Sequence, residues 1–283
     1  MSQNSWSFLV ASALSFLLVG TVLSQSSKTE RVEKSFTLDR DETYEINIEL
    51  DAADVILEKA DEPRQVTFVA ALDPKHFDVK SHFDKHRRRL TIEITKEKWF
   101  SHDSDRHTRV RIKLPYAAPI VLNARIKAGD VAVDLGDISL LGLRLATWAG
   151  SVSVDFAEAN RATMDYLRIN TKVGETEVMR LGNARCHDVD INAGIGDLRV
   201  DFRGSTAASG RASIDLDIGS TLLRLPEALA TKVRVSGLPL LTRIDLPVNW
   251  EQSGRYYYSR NYNNSQATLD LKVSQGMGDL SIE

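Results

Sequence analysis

Five carboxylate side chains stand at one fixed place in a repeated pattern of this sequence. Each lies five residues after a glycine or alanine that interrupts a run of alternating apolar residues. They are Glu58, Asp134, Asp155, Asp201 and Glu283. Carboxylates stacked in this way can bind calcium or act as the acid and base of glycoside hydrolysis. Strand ends that face water also favour Asp, and Met179 and Arg224 interrupt the row, so we predict a structural row.

Histidines suggest a metal site in one stretch of the chain. His82 and His86 lie four residues apart, and His102 and His107 flank two aspartates. A zinc site needs three or four ligands that converge at about 2 Å. His82 and His86 would share a face only in a helix, whereas this stretch alternates like strands and loops. We therefore expect no metal and no other cofactor.

Two other groups of side chains are candidates for binding a partner. Between residues 75 and 113 the chain has twelve Lys or Arg against six Asp or Glu, an excess that can steer an anionic partner. The candidate residues there are Arg87, Arg88 and Arg89. The second group is aromatic and offers flat rings with polar edges to a sugar or a protein. Its members are Trp250, Tyr256, Tyr257, Tyr258 and Tyr262. The alternative interpretation of the basic group is a solvated loop, and that of the aromatic group is a cover for the end of the fold.

No catalytic motif accompanies these residues. The sequence lacks the GxSxG, HExxH, GxxxxGK[ST] and CxxC patterns. Its only cysteine, Cys186, excludes a disulfide within the chain. We therefore predict that the protein is not an enzyme, and the short basic run at residues 85–89 does not support nucleic-acid binding.

A repeat carries most of these residues. Apolar residues occupy every second position, a glycine follows, and the alternation then continues with its parity shifted by one. These pivot glycines are Gly129, Gly150, Gly174, Gly196, Gly219 and Gly278. The first five are separated by 21, 24, 22 and 23 residues, and a copy without glycine has Ala53 as its pivot. Repetition of this length favours a scaffold over an enzyme.

The repeat predicts the fold. Alternation indicates a strand with one buried face, and the parity shift indicates a corner where glycine adopts a positive φ. We predict an all-β, parallel β-solenoid-like stack, a single-stranded β-helix of 21–24-residue repeats. In this register Ile191 and Ile214 face the core, and the pivots should accept Asn better than Val. An antiparallel sandwich is the alternative, although it has no reason to keep the shift at a fixed period.

The N-terminus reads as an export signal. The first 24 residues carry no charged side chain, and Trp6 to Leu23 is almost wholly apolar or small. We predict a signal peptide at residues 1–24 with cleavage before Gln25. An uncleaved N-terminal membrane anchor is the alternative, because no Lys or Arg precedes the apolar run.

The remainder divides in two. Residues 25–119 are predicted to form an N-terminal β region that includes the basic, histidine-rich insertion. Residues 120–283 are predicted to form the β-repeat stack with its tyrosine-rich C-terminal segment. Three N-terminal segments alternate without a glycine pivot and are predicted to form an antiparallel elaboration. They are Gln65–Ala71, Leu90–Lys96 and Arg109–Leu114.

The glycine-centred motifs carry a family resemblance. They read Ala128-Gly129-Asp130-Val131, Ile195-Gly196-Asp197-Leu198 and Met277-Gly278-Asp279-Leu280. With the leader, they resemble the toast-rack, or adhesin-type, β-repeat domain of exported bacterial proteins, and a similar domain ends Lia-type cell-envelope stress regulators. The resemblance spans roughly residues 40 to 283. It implies a stack of β-coils outside the inner membrane without known catalysis, and it supplies no ligand or catalytic residues.

Taken together, these features predict a non-enzymatic exported protein of the periplasm or cell surface. Its β-repeat scaffold would bind a protein or a glycan, with no nucleic-acid partner and with membrane contact only through an uncleaved leader. A glycan-active β-helix enzyme is one alternative, but the nearly uniform repeats leave no loop insertions to wall a cleft. A sensor or regulator in cell-envelope stress signalling is the other.

Overall fold

In the computed structural model, residues 29–97, 108–205, 210–237, 241–262 and 268–283 are described. These residues form 22 strands and one short 3-10 helix, Leu181–Ala184. The strands are β1 (Glu30–Thr37), β2 (Tyr44–Ala52), β3 (Asp54–Lys59), β4 (Gln65–Leu72), β5 (Phe77–Asp84), β6 (Arg89–Lys96), β7 (Arg109–Leu114), β8 (Ile120–Ala128), β9 (Val131–Asp134), β10 (Leu140–Ala149), β11 (Val152–Asp155), β12 (Tyr166–Val173), β13 (Thr176–Met179), β14 (Asp188–Ile195), β15 (Leu198–Asp201), β16 (Gly210–Ile218), β17 (Thr221–Arg224), β18 (Ala230–Gly237), β19 (Thr242–Asp245), β20 (Glu251–Ser253), β21 (Tyr256–Tyr258) and β22 (Thr268–Ile282). The predicted all-β class is confirmed. No helix in the described ranges is long and apolar enough to cross a membrane.

The strands pair in two sets, sheet A and sheet B. Across sheet A the order is β1, β4, β7, β3, β9, β11, β13, β15, β17, β22 and β19. Across sheet B it is β5, β6, β2, β8, β10, β12, β14, β16, β22, β18, β21 and β20. Neighbours run parallel from β7 to β19 and from β6 to β18. Antiparallel pairs lie only at the ends of the two sheets.

Each glycine-centred repeat contributes a long strand to sheet B and a short strand to sheet A. The inward residues change parity at the pivot: Ile169 before Gly174 and Val178 after it are both buried. Parallel pairing in register carries this pattern from strand to strand, so one hydrophobic core fills the space between the sheets. Ile191 and Ile214 are 0% and 1% exposed, which confirms their predicted orientation.

The pivot glycines stack into a column. Their φ angles are +125° at Gly129, +126° at Gly150, +135° at Gly174, +142° at Gly196, +138° at Gly219 and +125° at Gly278. The predicted positive φ is confirmed. The predicted preference for Asn over Val stays a prediction, but its reason does not hold, because Asn visits φ near about +57° and these angles are much larger. A Cβ at Gly150 would also overlap the carbonyl oxygen of Gly129, and the same overlap recurs at each following pivot.

Two of the three N-terminal strands predicted to be antiparallel belong to the parallel stack. β6 pairs in parallel with β2, with Ile92 beside Ile48, and β7 pairs in parallel with β3, with Ile112 beside Leu57. β4 alone is antiparallel to both of its partners, β1 and β7, whereas β6 is antiparallel only to β5 and β7 only to β4. Alternation does not encode strand direction, and the link from β6 to β7 is longer than a glycine corner. The segments therefore lack the pivot that marks the other repeats.

β22 lies inside the stack, although it follows β18 and β19 in the chain. Its first part pairs with β16 on one side and β18 on the other, which puts Val273 between Ile214 and Val235. Beyond the pivot glycine the same strand passes into sheet A, where it lies between β17 and β19. The β18–β19 unit is therefore stacked outside a strand that comes later in the sequence.

The predicted division between residues 119 and 120 stays a prediction. Strand pairing continues across it, because β2 pairs with β8 and β3 with β9. Ile48 lies beside Ala124, and Val55 lies beside Val131. The predicted signal peptide at residues 1–24 lies outside the described residues.

Candidate functional site

The predicted basic residues lie at the turn between β5 and β6, and each faces a carboxylate of its own chain. Arg87 Nε is 3.7 Å from Asp84 Oδ2, and Arg88 Nε is 3.1 Å from Glu42 Oε2. Arg89 donates to one carboxylate oxygen of Glu45 from Nε at 3.0 Å and from Nη2 at 2.8 Å. These ion pairs reduce the charge that this turn presents to an anionic partner.

The predicted aromatic residues lie at the opposite end of sheet B. Tyr256, Tyr257 and Tyr258 form β21, which pairs antiparallel with β18. The rings of Tyr258 and Tyr262 meet edge to face with centroids 4.9 Å apart. Tyr257 and Trp250 pack against the core. Much of this aromatic surface is used to cover the last parallel strand.

The structure does not bring the basic and aromatic groups together. Eight strand intervals separate β6 from β18, which amounts to about 40 Å at a spacing of about 4.8 Å. One small ligand cannot contact both groups. As partner surfaces, the Arg87–Arg89 turn and the tyrosine strand are separate candidates.

The acidic row is also aligned in sheet A, but its members have structural partners. Asp134 Oδ1 accepts backbone hydrogen bonds from Gly136 at 3.0 Å and from Ala157 at 3.3 Å. Asp155 is paired with Arg180. The remaining pairs are Glu58 with Arg111, Asp201 with Arg203, and Glu283 with Arg224. The Arg203 guanidinium lowers the pKa of Asp201, which keeps this carboxylate ionised.

Neither metal ligands nor a reactive thiol emerge in the described part of the chain. No group of three or more His, Cys, Asp or Glu side chains there is arranged to hold a metal ion. His102 and His107 lie outside the described residues. Cys186 is buried, and burial raises the pKa of its thiol to about 11, so it stays protonated at neutral pH.

A groove that no sequence motif marks crosses the outer face of sheet B from β2 to β14. Its volume is about 600 Å³. We call it the Ala146 groove, after the small residue at its centre. Its outward-facing lining residues are Asn47, Glu49, Asn123, Arg125, Arg144, Ala146, Arg168, Asn170, Asp190 and Asn192.

The depth of the groove comes from the contrast between Ala146 and its neighbours. In register, Ala146 lies between Arg125 on β8 and Asn170 on β12, whose longer side chains rise on both sides. Trp148 stands two residues further along β10 on the same face and is 55% exposed. Lys127 Nζ lies 6.0 Å from the centroid of the Trp148 ring.

Two of the three arginines in the groove have carboxylate partners. Arg125 Nη1 is 3.2 Å from Glu49 Oε1, and Arg168 Nη2 is 2.6 Å from Asp188 Oδ2. The hydrogen bond to Arg168 lowers the pKa of Asp188, so this ion pair persists at neutral pH. Arg144, in contrast, has no carboxylate partner among the described residues, and neither has Lys172 beside Trp148. The centre of the groove therefore carries uncompensated positive charge.

Arg144 is held by neutral groups. Its Nη1 donates to the hydroxyl of Tyr166 and, at 3.4 Å, to Oδ1 of Asn123. Its guanidinium carbon is 4.1 Å from the centroid of the Tyr166 ring. The ring lies over Gly142, where a Cβ would come within 2.6 Å of ring atom Cζ. Gly142 thus makes room for the tyrosine that orients Arg144.

The groove offers binding chemistry. Free amides, guanidinium groups and an exposed indole can hydrogen-bond, pair with anions and stack on rings. The side-chain amides of Asn170 and Asn192 have no hydrogen-bond partner in the part of the chain that the structure describes. The carboxylates at the two ends of the groove, Glu49 and Asp190, lie near arginines and four strand intervals apart. They are not placed to act as an acid and base pair on one bond.

Comparison with known proteins gives one family match. The family described as the N-terminal domain of toast_rack, DUF2154, matches residues 25–178. No curated protein matches the sequence. Several solved structures are distantly similar in fold.

The first similar structure, named as a candidate cell adhesion protein from Clostridium sporogenes, is 11% identical, with a TM-score of 0.44 over 89% of this chain and 99% of that one. A candidate adhesin from Bacteroides fragilis is 10% identical, with a TM-score of 0.41 over 91% and 99%. A candidate lipid binding protein from Parabacteroides distasonis is 12% identical, with a TM-score of 0.34 over 89% and 96%. The family match covers more than half of the chain, and the protein therefore belongs to the toast-rack family.

Proposed function

We propose that this protein is a non-enzymatic, exported protein of the periplasm or cell surface, and that its stacked strands are a scaffold for binding a glycan or a protein. The Ala146 groove is the observation that supports the proposal most directly. Side chains from five strands converge there with charge and free amides but without an acid and base pair, and the exposed indole of Trp148 stands beside them.

In this proposal the parallel strands behave as a β-solenoid, in which each coil contacts only its neighbours. The backbone then fixes outward side chains at about 4.8 Å across the strands and about 6.6 Å along them. A surface fixed in this way loses little conformational freedom when a ligand binds. Rigidity, rather than a closing cleft, is what the scaffold contributes.

The rival function is glycan hydrolysis by the acidic row. Asp134 and Asp155 are already engaged by backbone amides and by Arg180, respectively, so we expect them to be structural. The purified protein and the double variant Asp134→Asn/Asp155→Asn should both release no reducing ends from cell-wall polysaccharides. Hydrolysis by the parent protein that disappears in the double variant would overturn the proposal.

Export and binding are tested in the native cell. We expect the mature protein to begin at Gln25, as measured by intact mass, and to be digested by protease added outside the cytoplasmic membrane. Envelope fractions should then retain the purified protein. A protein that keeps residues 1–24 and stays protected in the cytoplasm would contradict the proposal.

A further inference from the structure

We propose that the Ala146 groove binds an acidic saccharide whose carboxylate pairs with Arg144, an assignment that rests on the proposed role of the protein as a binding scaffold. The groove crosses five strands, a length of about 19 Å at about 4.8 Å per strand. Its volume of about 600 Å³ lies in the range of sites for small organic ligands. Both dimensions suit a chain of a few sugar rings better than a single small ion.

The anionic part of the assignment comes from Arg144. The other two arginines of the groove are matched by Glu49 and Asp188, whereas Arg144 donates only to neutral oxygens. A guanidinium has five N–H donors in a planar fork, and its remaining donors fit the two oxygens of a carboxylate. Because Tyr166 already holds this group in place, little side-chain entropy is lost on binding.

The side-chain amides of the groove are the reason for assigning a saccharide as the ligand. Asn170 and Asn192 lie side by side in register on β12 and β14, and both are exposed. Each free amide can donate and accept, as a sugar hydroxyl does. Two such groups about 4.8 Å apart can hydrogen-bond to successive hydroxyls of one saccharide.

The aromatic part comes from Trp148. Its exposed indole stands next to the small floor at Ala146, and Lys127 and Lys172 occupy the corresponding positions on the two adjacent strands. An indole face packs against the C–H face of a pyranose. Lys127 is paired with Asp51 at 2.5 Å, so it is the ammonium group of Lys172 that favours a ring carrying negative charge. Cations, amides and an exposed aromatic ring around a small residue therefore point to one ligand class, a carboxylated saccharide.

The test is titration calorimetry with three tetrasaccharides on the full-length protein. Tetragalacturonate carries carboxylates, a heparin tetrasaccharide also carries sulfates, and maltotetraose is neutral. We expect tetragalacturonate to bind at least about tenfold more tightly than maltotetraose, because charge-assisted hydrogen bonds are about twice as strong as neutral ones. The affinity should fall as salt concentration rises.

Three variants locate the site. Arg144→Gln should weaken tetragalacturonate binding at least about tenfold. Gly142→Ala should also weaken it by displacing the Tyr166 ring, although no charge is changed. Lys272→Gln removes an exposed cation from the same face of sheet B, outside the groove, and should leave the affinity unchanged. Thermal melts check that each variant is folded. If Arg144→Gln does not fold, Asn170→Ala replaces it.

Several outcomes would overturn the inference. Equal losses for Arg144→Gln and Lys272→Gln would indicate general charge attraction. Equal affinity for maltotetraose would remove the carboxylate preference, and tighter binding of the heparin fragment than of tetragalacturonate would transfer that preference to sulfate. If no tetrasaccharide binds while an envelope protein is captured, the saccharide assignment fails and the scaffold function stands. If the protein binds nothing from the envelope, the scaffold function itself fails.

Discussion

Two parts of sheet B share one backbone design and differ in what they present to solvent. The cationic half consists of β8, β10 and β12, and the acidic half consists of β14, β16 and β22. The outward residues flanking Ala146 in the cationic half include five cations and no carboxylate: Arg125, Lys127, Arg144, Arg168 and Lys172. The corresponding positions of the acidic half include three aspartates and one lysine: Asp190, Asp215, Asp217 and Lys272.

The inward residues of the two halves are alike. Leu145 and Ile169 face the core in the cationic half, and Ile191, Ile214 and Val273 do so in the acidic half. The pivot glycines also stack without a break from Gly129 to Gly278, across both halves. The difference teaches that inward residues and pivots specify the stacking of the parallel strands, whereas outward residues are free to specify binding.

The largest expected effect comes from the scaffold that both halves share. Gly196 joins β14 to β15, with φ at +142°, and its Cβ would overlap the carbonyl oxygen of Gly174. We expect Gly196→Val and Gly196→Asn each to lower the free energy of unfolding by more than about 5 kcal/mol. Urea denaturation followed by circular dichroism measures both values.

Gly254 is the matched control, because it has a φ of +60° and a Cβ added there would have no atom within 4 Å. Asn adopts that angle, so Gly254→Asn should change the free energy of unfolding by less than about 0.5 kcal/mol. If Asn at Gly196 proved as mild as Asn at Gly254, the stacked column would not constrain the two halves.

The next effect separates the inner and outer faces of one strand. Ile191→Asp places an unpaired charge in the core and should cost about 4 kcal/mol of unfolding free energy. Asn192→Asp changes the neighbouring exposed position and should cost less than about 0.5 kcal/mol. Thermal and urea melts that give similar values for both variants would contradict the register of β14.

The smallest effect concerns the acidic half alone. Burial raises the pKa of Asp215 above its usual 3.8, and the charges of Asp217 and Asp190 raise it further. At neutral pH the ionised carboxylate is therefore less favourable in the folded than in the unfolded chain. Asp215→Asn should raise stability slightly at pH 7, and the gain should vanish below about pH 3.8, where both states are protonated.

Urea melts across this pH range, with Asp217→Asn as the exposed comparison, measure the effect. A loss of stability at pH 7 would mean that the hydrogen bond from Ser274 outweighs the crowding of negative charge. In that case Asp215 would stabilise the acidic half at pH 7 rather than destabilise it.

Much of the fold can be predicted from the sequence, because the spacing of the pivot glycines and the apolar alternation define the register of each repeat. The parity shift at Gly174 and Gly196 marks the corners, and alternation places Ile191 and Ile214 in the core. Strand direction in β6 and β7 does not follow, because alternation is the same in parallel and antiparallel strands. The position of β22 does not follow either, since pairing between distant segments depends on which edge is free.

The candidate site is less accessible to sequence reasoning. Single histidines, arginines and tyrosines stand out in the sequence, but the Ala146 groove is made of residues on adjacent strands that lie 21 to 76 positions apart and meet only after stacking. One signal is present: Asn123, Arg144 and Arg168 each lie six residues before a pivot glycine. Outward positions that are aligned by their distance from the pivot bring these three residues into one row.

The place of β22 has a consequence for biogenesis. Residues 230–245 leave the ribosome before the strand that must lie between them and β16. Until residues 268–282 arrive, β16 and β17 end in an unpaired parallel edge, and β18 with β19 has no neighbour on its inner side. Such edges are the surfaces on which nascent chains associate and chaperones act. Order of synthesis and order of stacking thus diverge at this end of the two sheets.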